Sequence, residues 1–497
     1  MQNKKNILII PADNRPVSYT LPESIGSINN GINIFMPPRE FFGGLKTIAN
    51  IEKILEWTQK TVSENRIDYI ICALDTIVYG GLISSRWCKD TQEDILSRIK
   101  SFKSLIEQSS CKFFGFSSIM RISDSNVNEE EKDYWDKYGK LIFKYSYLKH
   151  KTDINPDNAE LLKDLQDIKD QIPLEILEDY LQTRQRNFLI NKTYLKWLEE
   201  DFFDFFVFAK DDTAPFGLNV QEAGLLEKEI SEKKLANKAI IHTGSDEVNS
   251  ILLAGALKDN FKREISIFPI YSTIEGPQTI PRYEDQHLYK SVKKHLEICG
   301  IKLAETEEAS DITLLLHTFK KNQNDFALQE FVEPKNTDSV EVCLNLLRNS
   351  GKPVILADVC CANGSDKLLI EKMFSEITDF SKLYGYAGWN TASNTIGTAL
   401  STGISRYIAE KENNFSQENF NRVIFVRFVD DWAYQAIARQ KIRAVTDKAD
   451  KNLLKKELLP LIQQISSKFN INSDKISLNF PWERTFEVET RFMPDYN

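Results

Sequence analysis

Short apolar runs recur along this chain, and almost every one stops at a cluster of acidic, amide or glycine residues before a helical pattern begins. The clearest case spans Phe202–Glu222. Phe202, Phe203, Phe205, Phe206, Val207 and Phe208 read as a buried strand. The run stops at Lys210-Asp211-Asp212, and Pro215 and Gly217 mark a turn. A helix is expected from Asn219 as its N-cap, with Glu222 as the capping-box partner. Strand, charged loop and helix together form the repeating unit of α/β folds, in which sites are built at the carboxyl ends of strands.

The same grammar covers most of the chain. Strands are expected at Asn6–Ile10, Ile32–Met36, Tyr69–Leu74, Phe113–Ile119, Ala239–His242, Ile265–Ile270, Ile312–Leu316, Val354–Leu356 and Leu383–Tyr386. Helical patterns separate them, at Ile48–Val62, Gln92–Glu107, Gln286–Cys299 and Ser339–Leu347 among others. This alternation predicts an α/β fold with mainly parallel sheets and helices on both faces. Open, doubly wound layers are favoured over a TIM-like barrel, because the strands and inserted helices exceed a minimal barrel.

With 497 residues the chain exceeds one typical core. We divide it into an α/β domain over 1–260 and a second α/β domain over 261–497. The first carries a helical insertion at about 128–200, where Trp135, Tyr138, Ile142 and Tyr145 form an apolar stripe at helical spacing. The second ends in helices near 417–441 and 448–469 and a final extended segment, PWERTFEVETRF.

Net charge is −9, which argues against nucleic acid or an anionic membrane surface as the main partner. No apolar run approaches membrane-spanning length. Seven cysteines without a CxxC pair read as reduced thiols in a cytoplasm. Five histidines leave little material for a histidine-based metal site.

Three clusters carry most of the chemistry. Asp211 and Asp212 are adjacent carboxylates at a strand end, where the pleat points neighbours in opposite directions. Crowding raises the pKa of one of them, which suits a general acid. Thr243-Gly244-Ser245-Asp246-Glu247 repeats the design at a helix start, where capping alone would explain Asp246. Gly388-Trp389-Asn390-Thr391-Ala392-Ser393-Asn394 sets an aromatic face beside amides and hydroxyls, as a sugar site requires. Weaker clusters follow other strands: Asp13 and Arg15; Asp75, with the Gly80-Gly81 pair and Arg86; and Asp358, Asn363 and Asp366. Nucleotide-loop, zinc-protease and serine-hydrolase motifs are absent.

Eight segments resemble a bacterial family designated domain of unknown function 4127: PADNRPVSY, PPREFFGG, LDTIVYGGLISSR, AKDDTAPFG, GSDEV, ADVCCANGSD, YAGWNTASNTIGTAL and PWERTFEV. They span nearly the whole chain. The resemblance implies a bacterial protein of one architecture and brings no activity with it. Where members of the family usually have an Ala-Tyr pair before the ANG segment, this chain has Cys360-Cys361.

The residues predict a carbohydrate-active enzyme, a glycoside hydrolase using paired carboxylates, with substrate assistance on N-acetylated sugars as one form of it. Asp211, Asp212 and Glu247 are its expected catalytic residues. Asp13, Arg15, Asp75, Lys210, Asp246, Trp389, Asn390 and Asn394 are expected to bind a small-molecule or oligosaccharide substrate. No cofactor is expected in this reading. One alternative is a Mg²⁺- or Mn²⁺-dependent enzyme, such as a sugar isomerase or hydrolase, with Asp75, Asp211, Asp246 and Asp358 as ligands. Another is a non-catalytic sugar-binding protein. The sequence sets no oligomeric state.

Overall fold

The computed structural model describes residues 4–330 and 337–494. Six parallel strands form a first sheet: β1 Lys5–Ile10, β2 Ile32–Phe35, β3 Tyr69–Ala73, β4 Lys112–Ile119, β5 Phe205–Lys210 and β6 Ala239–Thr243, ordered β2-β1-β3-β4-β5-β6. The chain continues through β7 Ser266–Tyr271, β8 Lys302–Leu303, β9 Ile312–His317, β10 Asn324–Asp325, β11 Val354–Asp358, β12 Cys361–Ala362 and β13 Leu383–Ala387. Five of these form a second parallel sheet, ordered β13-β11-β9-β7-β8, and β10 pairs with β12. The last two strands, β14 Ile476–Asn479 and β15 Glu489–Phe492, are antiparallel.

Both large sheets are open, so the layered arrangement holds rather than the barrel. Their topology is also the same. In each, the second strand lies on one side of the first, and all later strands lie on the other. The direction of winding therefore reverses between β1 and β3, and again between β7 and β9. Such switch points leave a crevice at the carboxyl ends of the strands.

Strand alternation splits the first sheet's side chains between two cores. Ile7 and Ile9 face helices Thr20–Ser27 and Val248–Asn260, whereas Leu8 and Ile10 face helices Ile51–Glu64, Gln92–Glu107 and Leu174–Glu199. The first of these cores is continuous with that of the second sheet. Residue 260, where the sequence reading divides the chain, is the last residue of the buried helix Val248–Asn260, which packs on helix Ala392–Lys411.

The insertion is three helices, Trp135–Ile154, Ala159–Lys169 and Leu174–Glu199, with a small core of its own around Trp135, Ile142, Tyr145 and Tyr180. It also corrects the expected capping box. The helix after β5 is Leu218–Glu232, with Gly217 at its start and no side-chain cap. Its first donors are taken by the insertion: Leu218 N–H donates to Ser146 Oγ at 2.8 Å, and Gly217 N–H donates to His150 Nδ1 at 3.1 Å. Glu222 instead pairs with Arg184 at 2.7 Å. A tertiary contact has replaced the local cap, satisfying the same orphan N–H groups.

Candidate active site

A cleft of about 270 Å³ opens where the carboxyl ends of the two sheets meet. The first sheet contributes Arg15 after β1, Arg86 after β3, Arg121 after β4, Asp211 and Asp212 after β5, and Asp246 after β6. The second contributes Tyr283, Asn363 and Asn390. Glu130, at the head of the insertion, and Arg484 and Phe486, just before β15, close the sides.

Asp211 and Asp212 do not diverge as the strand pleat predicts. β5 ends at Lys210, so both aspartates lie in the loop, and both turn to one guanidinium. Arg121 Nη1 is 3.2 Å from Asp212 Oδ2 and 3.7 Å from Asp211 Oδ2, and Arg86 Nη2 donates to Asp211 at 2.7 Å. Asp212 shows about a third of its side chain (34%) to solvent in the cleft, against 18% for Asp211. Surrounding protein and the Asp211 charge raise the Asp212 carboxyl to about 7, overcoming Arg121 and Arg86.

Glu130 is the hub of the opposite wall. It takes Arg86 at 3.0 Å, Arg121 at 2.8 Å and Arg484 at 2.6 Å. Burial alone would raise its carboxyl, but these guanidinia hold it well below the usual range. Arg484 also lies 4.9 Å from the Trp482 ring and 5.0 Å from the Phe486 ring.

On the third side, Arg15 Nη2 bridges Asp13 at 2.7 Å and Asp246 at 2.6 Å. Asn390, at φ 72°, donates from Nδ2 to the other Asp246 oxygen at 3.0 Å. Burial raises Asp246 to about 6 against the pull of Arg15. This contact joins the loop after β6 to the loop after β13 across the cleft.

Of the expected site residues, the cleft wall therefore gathers Arg15, Asp211, Asp212, Asp246 and Asn390, with Asp13 behind Arg15. The other five lie elsewhere. Lys210 is buried against Asp285 at 2.6 Å, an ion pair that ties β5 to the loop after β7. Asp75 is buried and accepts the Ser118 N–H at 2.9 Å, which locks β3 to β4; burial raises its carboxyl to about 7. Trp389 packs into the core, its ring 5.8 Å from that of Phe486. Phe486 and Tyr283, rather than Trp389, are the aromatic residues that line the cleft. Asn394 is buried in helix Ala392–Lys411, where Thr391 supplies the N-cap.

Glu247 is the largest correction, because its side chain is completely buried (0%) below Asp246. His242 Nε2 lies 2.7 Å from its Oε1, and His295 Nε2 lies 3.5 Å away. Despite burial, hydrogen bonding to the two rings lowers Glu247 to about 2. A chain with few histidines has thus placed two in one cluster, because β6 and helix Leu288–Ile298 pack side by side. Among the described residues, two groups of three ligand-type side chains have donor atoms within 4.8 Å of one another: His242, Glu247 and His295, and His317, Cys360 and Asp366. Neither includes Asp75, Asp211, Asp246 or Asp358.

The Gly80-Gly81 pair serves the protein's own backbone. Gly81, at φ 142°, lets the loop turn so that Leu82 N–H donates to the Ala12 carbonyl at 3.1 Å, which sets Leu82, Ile83 and Arg86 on the cleft wall.

No helix among the described residues is long and apolar enough to cross a membrane. A search of curated proteins returned no match. Residues 7–491 match the family model described as "Protein of unknown function (DUF4127)", and the chain belongs to that family.

Proposed function

We propose that this protein is a glycoside hydrolase that uses paired carboxylates, with Asp212 as general acid. One observation carries the reading: a cleft-facing carboxyl raised to about 7 sits beside a second carboxylate that two arginines hold. A carboxyl that keeps its proton near neutrality protonates a leaving oxygen. In this reading Asp211 orients an acetamide or stabilises positive charge, and Asp246, fixed by Arg15 and Asn390, is the candidate base. Tyr283 and Phe486 offer the apolar face of a sugar ring a surface to pack on. Asp13 acts through Arg15. Glu247, Trp389, Asn394, Asp75 and Lys210 build the walls and take no part in the chemistry. All seven cysteines are free thiols, six of them buried, which supports a reducing cytoplasmic setting.

The test is a panel of nitrophenyl glycosides, N-acetylhexosaminides included, assayed with wild type and Asp212→Asn. The expected result is release of nitrophenol from one sugar class, falling by roughly 10²–10⁴-fold in the variant. Turnover that survives Asp212→Asn unchanged would remove Asp212 as the acid. Binding of sugars with no turnover on any substrate would favour the sugar-binding alternative.

A further inference from the structure

We propose that His242, Glu247 and His295 form a buried binding site for a divalent transition metal of the zinc class. The cluster holds an excess of lone pairs. His295 places both ring nitrogens against backbone carbonyls: Nδ1 is 2.7 Å from Ser291 O, and Nε2 is 2.9 Å from Ser393 O. Nδ1–H donating to Ser291 O is the outer contact that fixes the tautomer of a metal-bound histidine. It leaves the Nε2 lone pair aimed at the lone pairs of Ser393 O and of Glu247 Oε1, the latter at 3.5 Å. A cation between these atoms reconciles them, as would a second proton on the ring.

Two further oxygens point the same way. Glu247 Oε2 and Asn394 Oδ1 are both buried with no hydrogen-bond partner. They converge beside Gly244, where a Cβ would stand 2.9 Å from Glu247 Oε2, 2.6 Å from Oε1 and 3.1 Å from Asn394 Oδ1. Gly244 has φ 104°, so the position favours glycine on backbone grounds as well. Two imidazole nitrogens and a carboxylate are a donor set for zinc and its neighbours, with bonds of about 2.0–2.2 Å. Tetrahedral ligands at that radius lie about 3.4 Å apart, close to the 3.5 Å between Glu247 and His295, whereas His242 Nε2, 2.7 Å from Glu247 Oε1, moves outward to admit the ion. The Ser393 carbonyl or the Asn394 side-chain oxygen completes the set.

The other ligand-spaced group lacks this deficit. There, His317 Nε2 meets Asp366 at 2.9 Å and Nδ1 meets the Ser272 hydroxyl at 3.2 Å, so the ring is satisfied by its neighbours.

The site has no cleft-facing position, so its role is structural. It joins the loop after β6, which carries Asp246, to helices Leu288–Ile298 and Ala392–Lys411. The competing account is a second proton on His295, which would donate to both carbonyls.

The experiment is elemental analysis of the full-length protein, purified without chelator, against Glu247→Gln and His295→Gln. The expected result is about one equivalent of metal per chain, falling roughly tenfold or more in the variants. Because the variants can fail to fold, wild type is also stripped with a chelator and titrated with Co²⁺. Metal in this site gives visible d–d absorption at one equivalent and a rise in melting temperature. A wild type purified without metal, showing neither absorption nor a melting shift with Co²⁺ or Zn²⁺, would overturn the proposal in favour of the protonated histidine. These readouts do not use turnover, so they stand or fall apart from the glycosidase assay.

Discussion

Asp211 and Asp212 are separated by one position and distinguished by one guanidinium: Arg86 bonds Asp211 alone, while Arg121 reaches both. Asp212 is raised by its surroundings and by the Asp211 charge, so removing that charge must lower it. Asp211→Asn is therefore expected to move the alkaline limb of kcat/KM from about 7 towards lower pH, by roughly one unit, whatever it does to the maximum rate. A limb that stays in place would show that another group sets it. Asp75 supplies a stability test of the same kind. Its folded value of about 7 lies above the ordinary 3.8, so the folded state binds the proton more tightly. Its contribution is then fully present below pH 3.8 and is lost as pH rises through about 7. Asp75→Asn keeps an acceptor for Ser118 N–H without the titration. Urea unfolding should find the variant gaining on wild type by roughly 1–3 kcal/mol between pH 5 and pH 8. A constant difference across that range would show that Asp75 keeps an ordinary value.

At the scale of elements, the loops of the cleft are held from behind by an unusual helix. Phe428–Ala438 is wound as a π-helix between the α-helices Gln417–Arg427 and Arg439–Arg443. π turns are rare and mostly single. Asp431 Oδ2 accepts Gly388 N–H at 2.7 Å, its backbone carbonyl accepts Ser365 N–H at 2.9 Å, and Arg427 pairs with its other oxygen at 3.0 Å. Gln435 Nε2 donates to the Phe486 carbonyl at 2.9 Å. The helix thus anchors the loops that carry Asn390, Asn363 and Phe486. Asp431→Ala leaves Gly388 N–H unpaired in the core and Arg427 with Asp430 at 3.3 Å, a loss of roughly 1–3 kcal/mol. Urea midpoints should show it, with Asp431→Asn losing less because an acceptor remains; a loss near zero would mean that the loops hold themselves. The extent of this helical stretch was legible in its apolar spacing, but its winding was not, since an i→i+5 pattern leaves no separate signature over 11 residues. The cleft divides in the same way. Arg15, Asp211, Asp212, Asp246 and Asn390 were readable because strand ends fix where the next residues stand. Glu130 and Arg484 meet across 354 residues, each from a segment with no periodicity to place it. Glu247, Lys210 and Trp389 lie behind the cleft, because polar and aromatic residues after strands also build the walls of a site.

Over the whole molecule, the two sheets repeat one strand order but do not form two independent bodies. Helices Val248–Asn260 and Ala392–Lys411 lie against each other in a core that both sheets share. Further along, Ser405 Oγ donates to the Ile25 carbonyl at 2.9 Å, Asn30 N–H to Asn414 O at 2.8 Å and Ser416 N–H to Ile28 O at 2.9 Å. The second half is thereby joined to the first sheet's edge around β2. The chain is therefore expected to unfold as one unit, with hydrogen exchange of peptides from β3 and β4 reporting the same limiting free energy as peptides from β9 and β11. A local lesion makes the test sharper. A Cβ at Gly403 would stand 2.3 Å from Ile355 Cγ1, so Gly403→Ala strains the contact between helix Ala392–Lys411 and β11. If the core is continuous, protection falls by the same amount in both sheets. If it falls only in β9 and β11, the sheets open separately, and the cleft between them is a hinge rather than a fixed seam.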